Sequence, residues 1–125
     1  MTNLFLVGLG GFFGSILRYL LGIFVERIEL GTLLPVATLA VNFIGCLAIG
    51  YLAGVADSKG ILSLHGRLLI FTGLLGGFTT FSAFAHETIQ LYRVSQGAMA
   101  SMNIFLQFVS GIGGVWMGGL ASRWN

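Results

Sequence analysis

The sequence predicts an all-α integral membrane protein with four transmembrane helices, the third broken near its centre. Three observations lead there. Of 125 residues, 56% are apolar and only 8% carry charge, where ordinary soluble domains have about 45–50% and about 25%. Four apolar stretches are long enough to cross a hydrocarbon core of about 30 Å at about 1.5 Å per helical residue. Inside the third, Gly76-Gly77 precedes Thr79-Thr80, poor material for a continuous helix. Six basic and four acidic residues could not solvate the surface of a water-soluble domain of this size, so a soluble enzyme is excluded. Backbone groups in lipid must be satisfied within the segment, so the spans are helices and not isolated strands.

The first span covers 4–25 and is closed by Glu26-Arg27-Ile28-Glu29. It outruns a signal-peptide core of about 7–15 residues and lacks a basic start and a small-residue cleavage site, so it reads as a retained span. Gly10, Gly14, Arg18 and Gly22 recur at steps of four along one stripe, and small residues at that spacing let helix backbones approach closely. Arg18 reads either as a charge snorkelling to the near interface or as a fixed positive charge that draws anions into a vestibule.

The second span, 36–56, opens beside Pro35 and ends before Asp57-Ser58-Lys59-Gly60. It places Thr38, Asn42 and Gly45 on one face. Mid-span, Asn42 must hydrogen-bond, either as packing glue to a neighbouring helix or as a pore-lining amide that donates to a passing anion. The third span, 67–92, carries Gly73 and then Gly76-Gly77-Phe78-Thr79-Thr80-Phe81-Ser82-Ala83-Phe84. A break there exposes carbonyls that can hold a cation and amides that can face an anion. The hydroxyls of Thr79, Thr80 and Ser82 add donors. Phe81 and Phe84 share a face, where they pack against lipid or a helix, or turn the positive edges of their rings to an anion. Glu87, beside His86, reads as a proton site, a mouth-lining group or the interfacial end of the span.

The fourth span, 98–121, is anchored by Arg123-Trp124. Asn103, Gln107 and Ser110 form a polar track on it, suited to interhelical hydrogen bonds or to an ion losing its water. Gly111, Gly113, Gly114, Gly118 and Gly119 suit tight packing.

The short connections leave no room for a soluble catalytic module. Nothing forms a nucleophile–base pair or a metal cluster, so the chain does not read as an enzyme. His65 and His86 lack partners at zinc-ligand spacing. The six basic residues are dispersed and make no nucleic-acid footprint. Cys46 is the one cysteine and reads as a small buried hydrophobe. Lys59, Arg67 and Arg123 fall on one side of the membrane, Arg27, Arg93 and a snorkelling Arg18 on the other. That balance fits a chain that inserts both ways and pairs as an antiparallel dimer, and fits equally the scatter of a six-charge count. Four thin helices enclose little interior alone, which argues for an oligomer.

Gly10-Gly11 with Gly14-Ser15 and Arg18-Tyr19, Thr38-Leu39 with Asn42 and Gly45, and the string from Gly76 to Phe84 together resemble the Fluc (CrcB) fluoride channel family. The resemblance covers all four spans, and the third-span string is its most specific part. It implies an antiparallel, dual-topology homodimer in the bacterial inner (plasma) membrane, with two fluoride pores each built from both subunits. It places Phe81 and Phe84 on the pore walls, with Asn42 and Arg18 at pore positions. It implies a structural sodium ion on the dimer axis, held by the backbone carbonyls of Gly76 and Thr79 from each chain. Ala37 stands where relatives often have Gly, and Ala83 where they have Thr or Ser, which removes one hydroxyl. Fluoride is strongly hydrated, so Asn42, Thr80 and Ser82, with Ser110 further along, would replace its water between aromatic edges. With no acid in the first span, passive export of cytoplasmic fluoride that entered as its neutral acid is expected. The rivals are a proton-coupled multidrug exporter, for which Glu87 is the only acid near a span, and a non-transporting membrane scaffold.

Overall fold

The computed structural model describes residues 1–28 and 31–124. Glu29, placed by the sequence in the charged cluster after the first span, lies outside them. The described residues form α1 (Thr2–Ile28), α2 (Val36–Lys59), α3 (64–78), α4 (Phe81–Arg93) and α5 (Gly97–Ser122), with no strand among them. Four runs are long and apolar enough to cross a membrane: α1, α2, α3 together with α4, and α5. The protein is therefore a multi-pass membrane protein.

The helices overrun the apolar stretches. α1 begins at Thr2, α3 at Leu64, and α2 continues through Asp57 to Lys59. Hydropathy marks the edge of hydrocarbon, whereas helical hydrogen bonding continues until a cap stops it. For α2 the stop is Gly60, which takes a left-handed conformation (φ 61°) and donates its N–H to Ala56 O at 3.0 Å. Ser63 then opens α3 by accepting the Gly66 N–H at 3.2 Å. Arg67 reaches back across this turn to Asp57 at 2.5 Å, an exposed pair that contributes little.

α1 lies along α3 and α2 along α5; α1 also touches α2, and α4 packs on α5. Lipid tails are as apolar as leucine, so such helices associate through close van der Waals contact rather than hydrophobic exclusion. Glycine supplies the closeness. A Cβ at Gly14 would fall on the Leu74 carbonyl and 2.8 Å from Phe78 N. One at Gly118 would fall on the Leu47 carbonyl and 2.7 Å from Tyr51 N.

The third span is irregular twice over. Residues Leu68–Leu75 are π-helical, which the sequence pattern did not suggest. Gly76–Phe78 return to α geometry, and the helix then stops at Thr79 (φ −79°, ψ 158°) and Thr80 (φ −148°, ψ 110°). The break expected in this string is present, seated on the threonines rather than on the paired glycines. Gly76 is helical (φ −64°, ψ −36°), and a Cβ at Gly77 would stand 2.8 Å from Gly11 O. The glycines thus bring α3 onto α1, while the β-branched threonines take the extended backbone they favour.

Gly14→Ala is expected to cost about 1–3 kcal/mol, because two backbones would have to separate. Gly8→Ala, with nothing within 4 Å of the added carbon, should leave stability unchanged. Thermal unfolding in detergent compares the two.

Candidate functional site

The break leaves backbone groups without helical partners at membrane depth, and Asn42 answers for two of them. Its Oδ1 accepts the Thr80 N–H at 2.8 Å, and its Nδ2 donates to the Thr80 carbonyl at 3.0 Å. One side-chain amide thereby pairs with both polar groups of one residue, as a neighbouring strand would. The other Nδ2 hydrogen goes to Gln107 Oε1 at 3.1 Å, tying α2, the break and α5 together. Thr80 also caps α4, its Oγ1 accepting the Ala83 N–H at 3.2 Å, with Ser82 Oγ 3.3 Å away.

Two carbonyls are released by these bonds. In a continuous helix the Thr80 N–H would close on the Gly76 carbonyl and the Ala83 N–H on that of Thr79. Here the first is taken by Asn42 and the second by Thr80 Oγ1. Gly76 lies exposed on the surface of the single chain. Among the described residues no cluster of His, Cys, Asp or Glu could hold a metal ion.

Beside the break a cleft of about 450 Å³ is lined by Asn42, Thr80, Phe81, Phe84 and Gln107, together with apolar side chains of α2, α3 and α5. The two phenylalanine rings meet edge to face, centroids 5.4 Å apart at 66°. Phe84 is 7% exposed and Phe81 is 74% exposed, so one ring is set in the protein and the other projects from it. A cleft with two aromatic rings and few polar atoms suits an ion held briefly and released.

A second cavity, of about 180 Å³, lies on the other side of Thr80 and is lined by Arg18, Glu26, Thr38 and Ala83. Arg18 therefore stands at a cavity that Glu26 also lines. Thr38 donates to Glu87 Oε1 at 2.6 Å, while Glu87 Oε2 is buried with no hydrogen-bond partner among the described residues. Glu87 is thus held against α2.

The polar track of α5 divides. Gln107 faces Asn42, and Asn103, 2% exposed, donates to Thr88 Oγ1 at 2.8 Å. Ser110 turns back to the Gln107 carbonyl of its own helix at 3.5 Å and does not reach another element. Thr88 escaped the sequence reading. It donates to Phe84 O at 2.8 Å and so links Asn103 to the turn that carries Phe84. The signal was the spacing of Thr88, four residues after Phe84. The Thr38–Glu87 bond was likewise legible only once Asn42 is paired with Thr80, since Thr38 is one turn before Asn42 and Glu87 two turns after Thr80.

Residues 5–119 match the family described as CrcB-like protein, Camphor Resistance (CrcB). The chain belongs to the CrcB-like family. The matched residues run from α1 to α5 and contain every side chain of the break and both cavities. This CrcB-like chain is 46% identical over 118 residues to the "Fluoride-specific ion channel FluC" of Methylobacillus flagellatus, covering 94% of this chain and 92% of that one. It is 40% identical over 123 residues to the protein of the same name from Elusimicrobium minutum, covering 98% and 95%. A third, from Flavobacterium psychrophilum, is 38% identical over 118 residues, covering 94% of each.

In this CrcB-like chain, Asn42→Leu would strand the N–H and the carbonyl of Thr80, at about 1–3 kcal/mol each. A clear fall in detergent melting temperature is expected. An unchanged melting temperature would contradict the pairing.

Proposed function

We propose that this CrcB-like chain is a passive, fluoride-selective channel that lets fluoride leave the bacterial cytoplasm across the plasma membrane. The observation that carries the reading is near full-length similarity to proteins named fluoride-specific ion channels, joined to a cleft that combines hydrogen-bond donors with aromatic rings. A family of channels implies no enzymatic step.

Fluoride is small and strongly hydrated, so the path must replace water with groups that do not trap the ion. Thr80 and Ser82 offer hydroxyls at the break, and Ser110 offers another further along α5. Phe81 and Phe84 offer ring edges. Asn42 forms the wall between them and holds the Thr80 segment in place. Arg18, at the second cavity, supplies positive potential at the approach.

The reading includes two antiparallel copies and a pore at each side of their contact. The exposure of Phe81 and of Gly76 on one chain supports a covering second copy. A sodium ion on the dimer axis fits the residues present. Hard cations take oxygen ligands, and the Gly76 and Thr79 carbonyls have both lost their helical donors. From two chains they would hold the ion, which would join the subunits and add positive charge near the pores.

Purified protein in liposomes loaded with potassium fluoride, opened to potassium by an ionophore, should release fluoride rapidly and chloride negligibly. No fluoride release from a folded dimer would overturn the assignment. Phe81→Ile should preserve the dimer and lower fluoride release by about tenfold or more, as expected for losing a pore-wall contact of about 1.4 kcal/mol. Replacing sodium with N-methylglucamine should lower the melting temperature of the dimer; equal melting in both salts would count against the axial cation.

A further inference from the structure

Gln107 is 9% exposed, lines the cleft with Phe81 and Phe84, and has an Nε2 that is buried without a hydrogen-bond partner. Its orientation follows from a backbone group. The Thr80 N–H can only donate, so the Asn42 atom facing it must be Oδ1. That fixes Nδ2 of Asn42 toward the Thr80 carbonyl and toward Gln107. Since Nδ2 can only donate, Gln107 must present Oε1 to it and turn Nε2 away. The ambiguity that normally attends amide side chains is removed at both positions.

The same chain of bonds uses up Asn42. Its acceptor is engaged by Thr80 N–H, and its amide donates to two oxygens. No donor of Asn42 is left for a passing ion. Gln107 Nε2 has two N–H groups, and among the described residues neither has an acceptor. A buried, unpaired donor of this kind is destabilising unless something accepts from it. In a cleft lined mainly by apolar and aromatic side chains, a small hard anion is a strong acceptor.

We infer that Gln107 is the amide donor that meets the desolvated anion, and that Asn42 and the Thr80 backbone orient it for that task. The inference rests on the fluoride-channel reading and names, within that site, the group that selects a strong hydrogen-bond acceptor. A larger, softer anion gains less from two fixed N–H groups, so the arrangement favours fluoride over chloride.

The test uses Gln107→Met, which keeps side-chain length and removes both N–H groups. In the liposome assay this variant should release fluoride about tenfold more slowly than the unsubstituted protein, the effect of losing one strong hydrogen bond in the conduction barrier. A second arm needs no variant. With 15N-labelled protein in lipid nanodiscs, the Gln107 side-chain amide resonances should shift saturably with potassium fluoride and remain still with potassium chloride. Wild-type release from Gln107→Met, or Gln107 resonances indifferent to fluoride, would overturn the inference. Should Gln107→Met fail to form a dimer, the resonance shift decides alone. If the unsubstituted protein releases no fluoride, the channel reading itself falls; if it does while Gln107 is inert, only this inference falls.

Discussion

Two hydrogen bonds between Asn42 and the backbone of Thr80 hold the break open, and the rest of the site is built around them. A helix interrupted at membrane depth exposes N–H and carbonyl groups away from bulk water, and leaving one unpaired is costly. Asparagine carries a donor and an acceptor on one short planar group, which lets it stand in for a strand. Because it takes the Thr80 N–H, the Gly76 carbonyl is released; because Thr80 is fixed, its hydroxyl caps α4 and releases the carbonyl of Thr79. The start of α4 in turn sets where Phe81 and Phe84 project. One side chain on α2 thus decides the position of polar and aromatic groups on the third span.

Close glycine packing is the second constraint. α1 and α3 touch through Gly10, Gly14 and Gly77, and α2 and α5 through Gly50, Gly114 and Gly118. On α2 itself, a Cβ at Gly45 would fall on the Thr79 methyl and 3.2 Å from Phe78 Cδ1, so this glycine brings α2 near enough to the break for the four-atom side chain of Asn42 to span the gap. Larger residues would move the helices apart and leave Asn42 short of Thr80. The glycine stripes and the asparagine are therefore one design: the first sets the distance, the second uses it.

Much of this was legible in the sequence, for reasons that differ by element. The spans follow from length and charge, and the break from two glycines ahead of two threonines, because both depend on local chemistry alone. Asn42, Thr80 and Gln107 each stood out as polar groups within a span, but their mutual pairing needed the register of three helices. The π-helical stretch Leu68–Leu75 left no trace, since its run of leucine, isoleucine and phenylalanine suits an ordinary helix as well. Thr88 was missed because a threonine that bonds back to its own helix looks like any other. Ser110 shared the spacing of Asn103 and Gln107, yet it bonds within α5, since equal spacing does not give equal neighbours.

The exchange rate of the Thr80 amide hydrogen reports whether Asn42 holds the break. Measured by NMR in nanodiscs, it should be as slow as that of amides inside α4, although Thr80 lies outside any helix, and it should become fast in Asn42→Ala while α4 stays protected. Fast exchange at Thr80 in the unsubstituted protein would mean that Asn42 does not hold the break, and the account built on that pairing would fail.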